Sequence, residues 1–260
     1  MYKLAFFDLD GTLLNSNGLI DLSSINALKR LSSNNIRLVL ITGRSLKSVK
    51  KIVNKYSIYN LFSYYVCFNG ALIIDNKKNK IICNYNVNSA SFKDLADCAN
   101  YNNINCYMVL KNNIVSRDIC DLEREEAFRN EFIIRQEEFN NNLKIYKIVF
   151  NSTKEKIDLL SNIDLSKYNT IRLDDNTLEI MSFYASKVLA LKRIAKEEKV
   201  YYKDIIVFGD ANNDKEMLSI VGYGCAMNNA STVAKESANY VTLDNNSNGI
   251  KVAIDSILGD

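Results

Sequence analysis

Lys3-Leu4-Ala5-Phe6-Phe7-Asp8-Leu9-Asp10-Gly11-Thr12 decides how this chain is read. Lys3 to Leu9 is an almost unbroken apolar run, as expected of a strand buried in a parallel sheet. Asp8, Asp10 and Thr12 then follow, with Gly11 permitting a sharp turn. Ligands of α/β sheets bind just beyond the carboxyl ends of strands, so both carboxylates fall where a site is expected. At a spacing of two in an extended segment they leave on the same side, where they repel unless a cation or a shared proton intervenes. The plainer alternative is a turn with helix-capping Asp and Thr. Four fixed residues in Asp-x-Asp-Gly-Thr arise by chance on the order of once per hundred thousand positions, which favours function.

Outward from this strand, helix and strand signals alternate. A helix with the apolar face Ile25, Leu28 and Leu31 follows, capped by Asp21 or Ser23. Next come a strand over 37–41, a helix over 45–55, and short strands over 64–68 and 71–74, the last two separated by Asn69-Gly70. The C-terminal part continues with helices over 187–199, 215–221 and 230–237 and strands over 205–208, 224–227 and 240–243. The alternation predicts an α/β fold, a doubly wound parallel-sheet (Rossmann-like) core. Residues 83–183 have another texture, with helices over 92–99 and 154–160 and strands over 105–110, 145–150, 170–173 and 177–182. Asp174-Asp175-Asn176 joins the last two strands as a hairpin. The expected organisation is a core of 1–82 and 184–260 with an inserted α+β unit over 83–183.

Composition narrows the function. The 260 residues carry 33 basic and 30 acidic side chains, a formal charge of +3. Such balance gives no basic footprint for nucleic acid or an anionic membrane surface. No apolar run approaches membrane-spanning length, and no leader is visible. The six cysteines include no Cys-x-x-Cys pair, and with no histidine a Cys/His zinc site is excluded. Buried, reduced thiols in a cytoplasmic protein are expected. Lacking histidine, any general acid or base is a carboxylate, Lys, Tyr or Cys. The absence of proline and the abundance of Asn, Lys, Ile and Tyr read as AT-rich coding.

A second acidic stretch, Gly209-Asp210-Ala211-Asn212-Asn213-Asp214, follows the strand over 205–208. Mg²⁺ favours a few carboxylate oxygens with water and substrate phosphate, and Asp8 and Asp210 converging on one ion would relieve their repulsion. A Ca²⁺ loop is the alternative, although the glutamate at EF-hand spacing is missing. Thr42-Gly43-Arg44 closes the second buried strand before a helix, where a hydroxyl and open N–H groups suit a phosphoryl group or a simple cap. Lys187 opens a helix and is either solvated or the cation such a site lacks.

In this order, these segments resemble the haloacid dehalogenase (HAD) superfamily, and within it the Cof-type phosphatases with an α/β cap between the second and third motifs. Asp8 to Leu13 matches the first motif, Thr42 to Arg44 the second, Ser186-Lys187 the third and Gly209 to Asp214 the fourth. Asn69-Gly70-Ala71 matches the segment leading toward the cap, Leu178-Glu179-Ile180 the approach to the third motif, and Met227 to Ala230 and Asn248 to Ile250 its tail. The resemblance implies that Asp8 attacks phosphorus and that Asp10 protonates the leaving group and then activates water. It implies Mg²⁺ held by Asp8, the Asp10 carbonyl, Asp210 and Asp214. It also implies Thr42, Gly43 and Lys187 on the phosphoryl oxygens, with Asn213 orienting Lys187 or substrate. Ser182 to Val188 departs from the family's Pro-x-Gly-x-x-Lys-Gly run, and Asn228 stands where Gly is common.

The expected activity is Mg²⁺-dependent hydrolysis of small phosphorylated metabolites, sugar phosphates foremost, by a monomer or small homo-oligomer. A phosphosugar mutase or phosphotransferase would use the same intermediate. A receiver-type phospho-acceptor domain is the third reading, disfavoured by Asp10, since an acid/base beside the nucleophile promotes turnover.

Overall fold

A computed structural model describes residues 1–139 and 142–259. In chain order the first part comprises β1 (Leu4–Phe7), α1 (Leu22–Ser33), β2 (Arg37–Ile41), α2 (Leu46–Lys55), β3 (Phe62–Cys67), β4 (Leu72–Asp75) and β5 (Lys80–Asn84). The middle holds β6 (Val87–Asn88), α3 (Lys93–Tyr101), β7 (Asn105–Val109), β8 (Asn113–Ser116), α4 (Asp121–Asn130) and β9 (Ile133–Gln136). It continues with β10 (Lys144–Ile145), β11 (Lys147–Asn151), α5 (Lys154–Leu159), β12 (Tyr168–Arg172) and β13 (Thr177–Ser182). The last part is α6 (Lys187–Glu198), β14 (Ile205–Gly209), α7 (Lys215–Ile220), β15 (Tyr223–Ala226), α8 (Thr232–Ser237), β16 (Tyr240–Val241) and α9 (Gly249–Leu258).

The chain divides into two compact units. The first comprises Met1–Gly43, Ile52–Ile82 and Lys187–Asp260, and the second Arg44–Lys51 and Cys83–Ser186. In the first unit the sheet runs β16-β15-β14-β1-β2-β3-β4-β5. It is parallel from β16 to β3, and β4 turns back antiparallel on β3. From β1 the chain proceeds to β2 on one side, whereas from β14 it proceeds to β15 on the other. Right-handed crossovers in opposite directions put their helices on opposite faces. In keeping with this, α1 packs with α9, while α7 packs with α6 and α8. The point between β1 and β14 is therefore a topological switch, with a crevice at the strands' carboxyl ends. All four residues of β1 are fully buried, which explains its unbroken apolar run.

The second unit has a sheet of order β12-β13-β11-β7-β8-β9, antiparallel except between β8 and β9. Met108, Ile148, Phe150 and Ile180 pack on Phe92, Leu95, Ile157 and Leu160. Beside Met108 and Ile148, the alternate positions Tyr107 and Lys147 join Glu126 and Glu179 in a buried polar network. The expected hairpin is β12–β13, closed by the Leu173 amide donating to Thr177 O at 3.1 Å. The expected strand over 145–150 is broken, because Lys144–Ile145 pairs with β6 while Lys147–Asn151 joins the larger sheet. The strand expected over 240–243 shortens to Tyr240–Val241.

Periodicity gave no sign of α4, since its buried positions are Glu123, Glu126, Ala127 and Asn130 rather than an apolar stripe. Arg44–Lys51 belongs to this unit, and Asn130 Oδ1 accepts from the Ser45 amide at 2.8 Å. None of the six cysteines, all among the described residues, forms a disulfide. No helix of the described residues is long and apolar enough to cross a membrane.

Candidate active site

The site lies in the first unit, at the switch between β1 and β14. β1 ends at Phe7 and delivers Asp8, which is 5% exposed. β14 delivers Asp210, and a short turn over 212–214 brings back Asp214, which is wholly buried. Carboxylate oxygens of Asp8, Asp210 and Asp214 lie within 4.8 Å of one another.

Lys187, the first residue of α6 and 4% exposed, sits among them. Its Nζ donates to Asp8 Oδ1 at 2.7 Å and to Asp214 Oδ1 at 2.8 Å. Asp214 Oδ2 accepts from the amides of Asp210 and Ala211 at 3.1 and 3.0 Å. Asp214 thus anchors both the lysine and the Asp210 loop. Thr12 Oγ1 donates to Asp210 Oδ1 at 2.6 Å. Gly11 is required here: its φ is +76°, and a Cβ would lie 2.3 Å from Asp210 Oδ2.

Burial is the main reason the Asp8 carboxyl is pushed well above the usual carboxylate range. Lys187 opposes that rise, whereas Asp214 and Asp210 add to it. Burial likewise raises Asp210, to about 6, against the lowering hydrogen bond from Thr12. For Lys187 burial works against the ammonium, but Asp214 and Asp8 outweigh it and its pKa is raised. Three carboxylates against one ammonium leave the cluster two formal negative charges in excess. An all-oxygen donor set with that excess fits a small, hard divalent cation such as Mg²⁺.

Asp10 does not join this cluster. Asp10 is exposed, in the turn between the end of β1 at Phe7 and left-handed Gly11. Thr42 follows β2, 1% exposed, and its amide donates to Val66 O at 2.9 Å. Gly43 lies against Asn69, whose amide donates to Thr42 O at 2.9 Å. Asn213 Nδ2 donates to Asn69 Oδ1 at 3.3 Å. Among the described residues, Asn213 Oδ1 is buried and finds no hydrogen-bond partner.

Three supporting residues had no site role in the sequence reading. Asn69 bridges two loops, as above. Asn229 Nδ2 donates to Gly11 O at 2.8 Å, and its Oδ1 accepts from the Asn245 amide at 3.0 Å. The Ser231 amide donates to Asp210 O at 2.8 Å. For the two asparagines the signal was abundant asparagine in loop segments, which does not distinguish a clamp from a turn.

A family model described as haloacid dehalogenase-like hydrolase matches residues 5–254. Phosphatase YwpJ of Bacillus subtilis is 28% identical, over 95% of this chain and 97% of that protein. The 5-amino-6-(5-phospho-D-ribitylamino)uracil phosphatase YcsE of the same organism is 24% identical, over 97% and 94%. A crystal structure of a haloacid dehalogenase-like hydrolase from Bacteroides thetaiotaomicron superposes with a TM-score of 0.86 at 28% identity, covering 99% of this chain and all of that one.

Proposed function

From the premise that this chain belongs to the haloacid dehalogenase-like hydrolases, we propose that it hydrolyses phosphate monoesters of small metabolites with Asp8 as nucleophile. The observation that carries the reading is Asp8 itself, buried, held by Lys187 at 2.7 Å and clustered with Asp210 and Asp214. An oriented carboxylate beside a fixed cation suits attack on phosphorus.

In the first step the Asp8 carboxylate forms a bond to phosphorus while the ester P–O bond breaks. Asp10 gives its proton to the departing alkoxide. In the second step Asp10 takes a proton from water as the water oxygen attacks phosphorus, and the Asp8–phosphoryl bond breaks to release phosphate. Lys187, with Thr42 and the Gly43 amide, neutralises and holds the phosphoryl oxygens. Mg²⁺ bound by Asp8, Asp210, Asp214 and the Asp10 carbonyl would draw off charge from the same oxygens. Asp214, already bonded to Lys187 and two amides, would reach the metal directly or through water.

Sugar and polyol phosphates are the proposed substrate class. Asn213 Oδ1, a buried acceptor without a donor, supports a hydroxyl-bearing substrate. The name of YcsE puts a phosphoribityl group on that relative's substrate. Residues 1–82 and 184–260 are taken as the catalytic core and 83–183 as the cap. The enzyme is read as cytoplasmic, in keeping with six cysteines outside any disulfide.

The test is p-nitrophenyl phosphate hydrolysis with Mg²⁺, then with EDTA, followed by a panel of sugar and polyol phosphates. Metal-dependent release of phosphate supports the reading. Absence of hydrolysis across the panel, or activity untouched by EDTA, refutes it.

A further inference from the structure

We infer that Asn69 is a positioning residue for phosphoryl binding, setting the Thr42–Gly43 loop against the Asn213 loop. The inference rests on the proposed role of Thr42 and Gly43 as holders of the phosphoryl group.

Asn69 follows β3, the third strand from β14, and is 4% exposed. Its backbone is left-handed, with φ 53° and ψ 30°. Asn adopts that conformation at less cost than most residues, and the preceding Phe68 is left-handed too, with φ 50°. Two successive left-handed residues reverse the chain sharply at the end of β3. The Asn69 amide is thereby aimed at Thr42 O, 2.9 Å away, and its side chain is laid along Gly43.

A Cβ on Gly43 would lie 3.2 Å from Asn69 Oδ1 and 3.4 Å from Nδ2. The side-chain amide thus packs on the Gly43 backbone while its Oδ1 accepts from Asn213 Nδ2 at 3.3 Å. One residue therefore fixes the loop after β2 through its main chain and reaches the loop after β14 through its side chain. Two loops that must grip one anion from neighbouring strands gain a common reference, and pre-set donors avoid an ordering cost on binding. The Asn69 bonds given above run to Thr42 and Asn213 rather than to Asp8, Asp210 or Asp214, so its loss probes anion holding apart from the carboxylate machinery.

The test is inhibition of the Mg²⁺-loaded enzyme by inorganic phosphate in Asn69→Gly and Asn69→Asp, with thermal melting as the folding control. Asn69→Gly keeps the left-handed backbone and deletes only the amide. It is expected to raise the phosphate inhibition constant about tenfold, the effect of losing roughly one good hydrogen bond. Asn69→Asp keeps the shape and the acceptor for Asn213 but sets a negative charge beside the loop. It is expected to weaken phosphate further than Asn69→Gly does, whereas a residue important only for folding would show no such charge effect. In a double-mutant cycle, Asn69→Gly and Asn213→Ala are expected to be less than additive.

Unchanged phosphate inhibition in both Asn69 variants, or full additivity with Asn213→Ala, overturns the inference. Should Asn69→Gly not fold, Asn69→Asp alone decides on the same criterion. If wild-type hydrolysis survives Asp8→Asn, it is instead the underlying functional reading that fails.

Discussion

Thr12 donates its hydroxyl to Asp210 at 2.6 Å, across 198 positions of chain. The bond ties the loop after β1 to the loop after β14, the parallel neighbours at which the order of strand addition reverses. It lowers the pKa of an aspartate that burial raises. Thr12→Val removes a hydrogen bond to a charged group, worth about 1.5–3 kcal/mol. We expect the Mg²⁺ concentration for half-maximal activity to rise about tenfold or more, with little change in melting temperature at saturating metal. A metal titration of the variant checks this, and an unchanged midpoint contradicts it.

Lys187 is bonded to both Asp8 and Asp214. Lys187→Met leaves two buried carboxylates facing each other, a change of the kind that costs about 3–5 kcal/mol. Metal-free variant is expected to melt well below wild type and to recover part of the loss on adding Mg²⁺. Its turnover is expected to fall at least about a hundredfold even at saturating Mg²⁺. Melting curves with and without metal, set beside kcat, separate the structural from the catalytic loss.

In the second unit, Lys147 is 5% exposed and bonded to Glu126 at 2.8 Å and to Glu179, while Tyr107 donates to Glu126 at 2.8 Å. Burial opposes the ammonium, but the two glutamates outweigh it and raise its pKa. A raised lysine pKa means that its stabilising contribution is fully present at neutral pH and lost only above the ordinary lysine range. Lys147→Met is expected to destabilise by about 3–5 kcal/mol in urea unfolding at pH 7. Adding Glu126→Gln and Glu179→Gln should return much of it. A loss under about 1 kcal/mol, typical of an exposed pair, would be the contrary result.

Burial pushes the Cys106 and Cys225 thiols up to about 12. At pH 8 the thiolate of each is on the order of one part in ten thousand, so alkylation of the folded protein is slow. Iodoacetamide labelling read by peptide mass spectrometry should find the half-buried Cys98 and Cys120 modified first. Rapid labelling of Cys225 in native protein would contradict its placement in the sheet.

What was legible in the sequence followed from packing periodicity. β1 and β14 are buried on both faces, so their apolar runs announced parallel strands, and the acidic residues after them fell at the carboxyl ends. Lys187 read more readily as solvated, because nothing local tells a helix-opening lysine that it will meet Asp8 from 179 positions away. β1 ends at Phe7 and Gly11 is left-handed, so the period of two that relates Asp8 to Asp10 in a strand does not by itself fix the side on which Asp10 lies. α4 stayed hidden because its buried face carries glutamates satisfied by Ser116, Tyr107 and Lys147 from other elements. Asn69, Asn229 and Ser231 act through hydrogen bonds to atoms distant in the chain, which no spacing rule encodes.

Asp8→Asn tests the account most directly, because it keeps the shape of a 5%-exposed side chain while removing its charge and nucleophilicity. Measured on the best substrate with saturating Mg²⁺, kcat is predicted to fall by about 10⁴ or more while the protein still melts cooperatively. A folded Asp8→Asn enzyme turning over within about tenfold of wild type would contradict the assignment of Asp8 as the nucleophile.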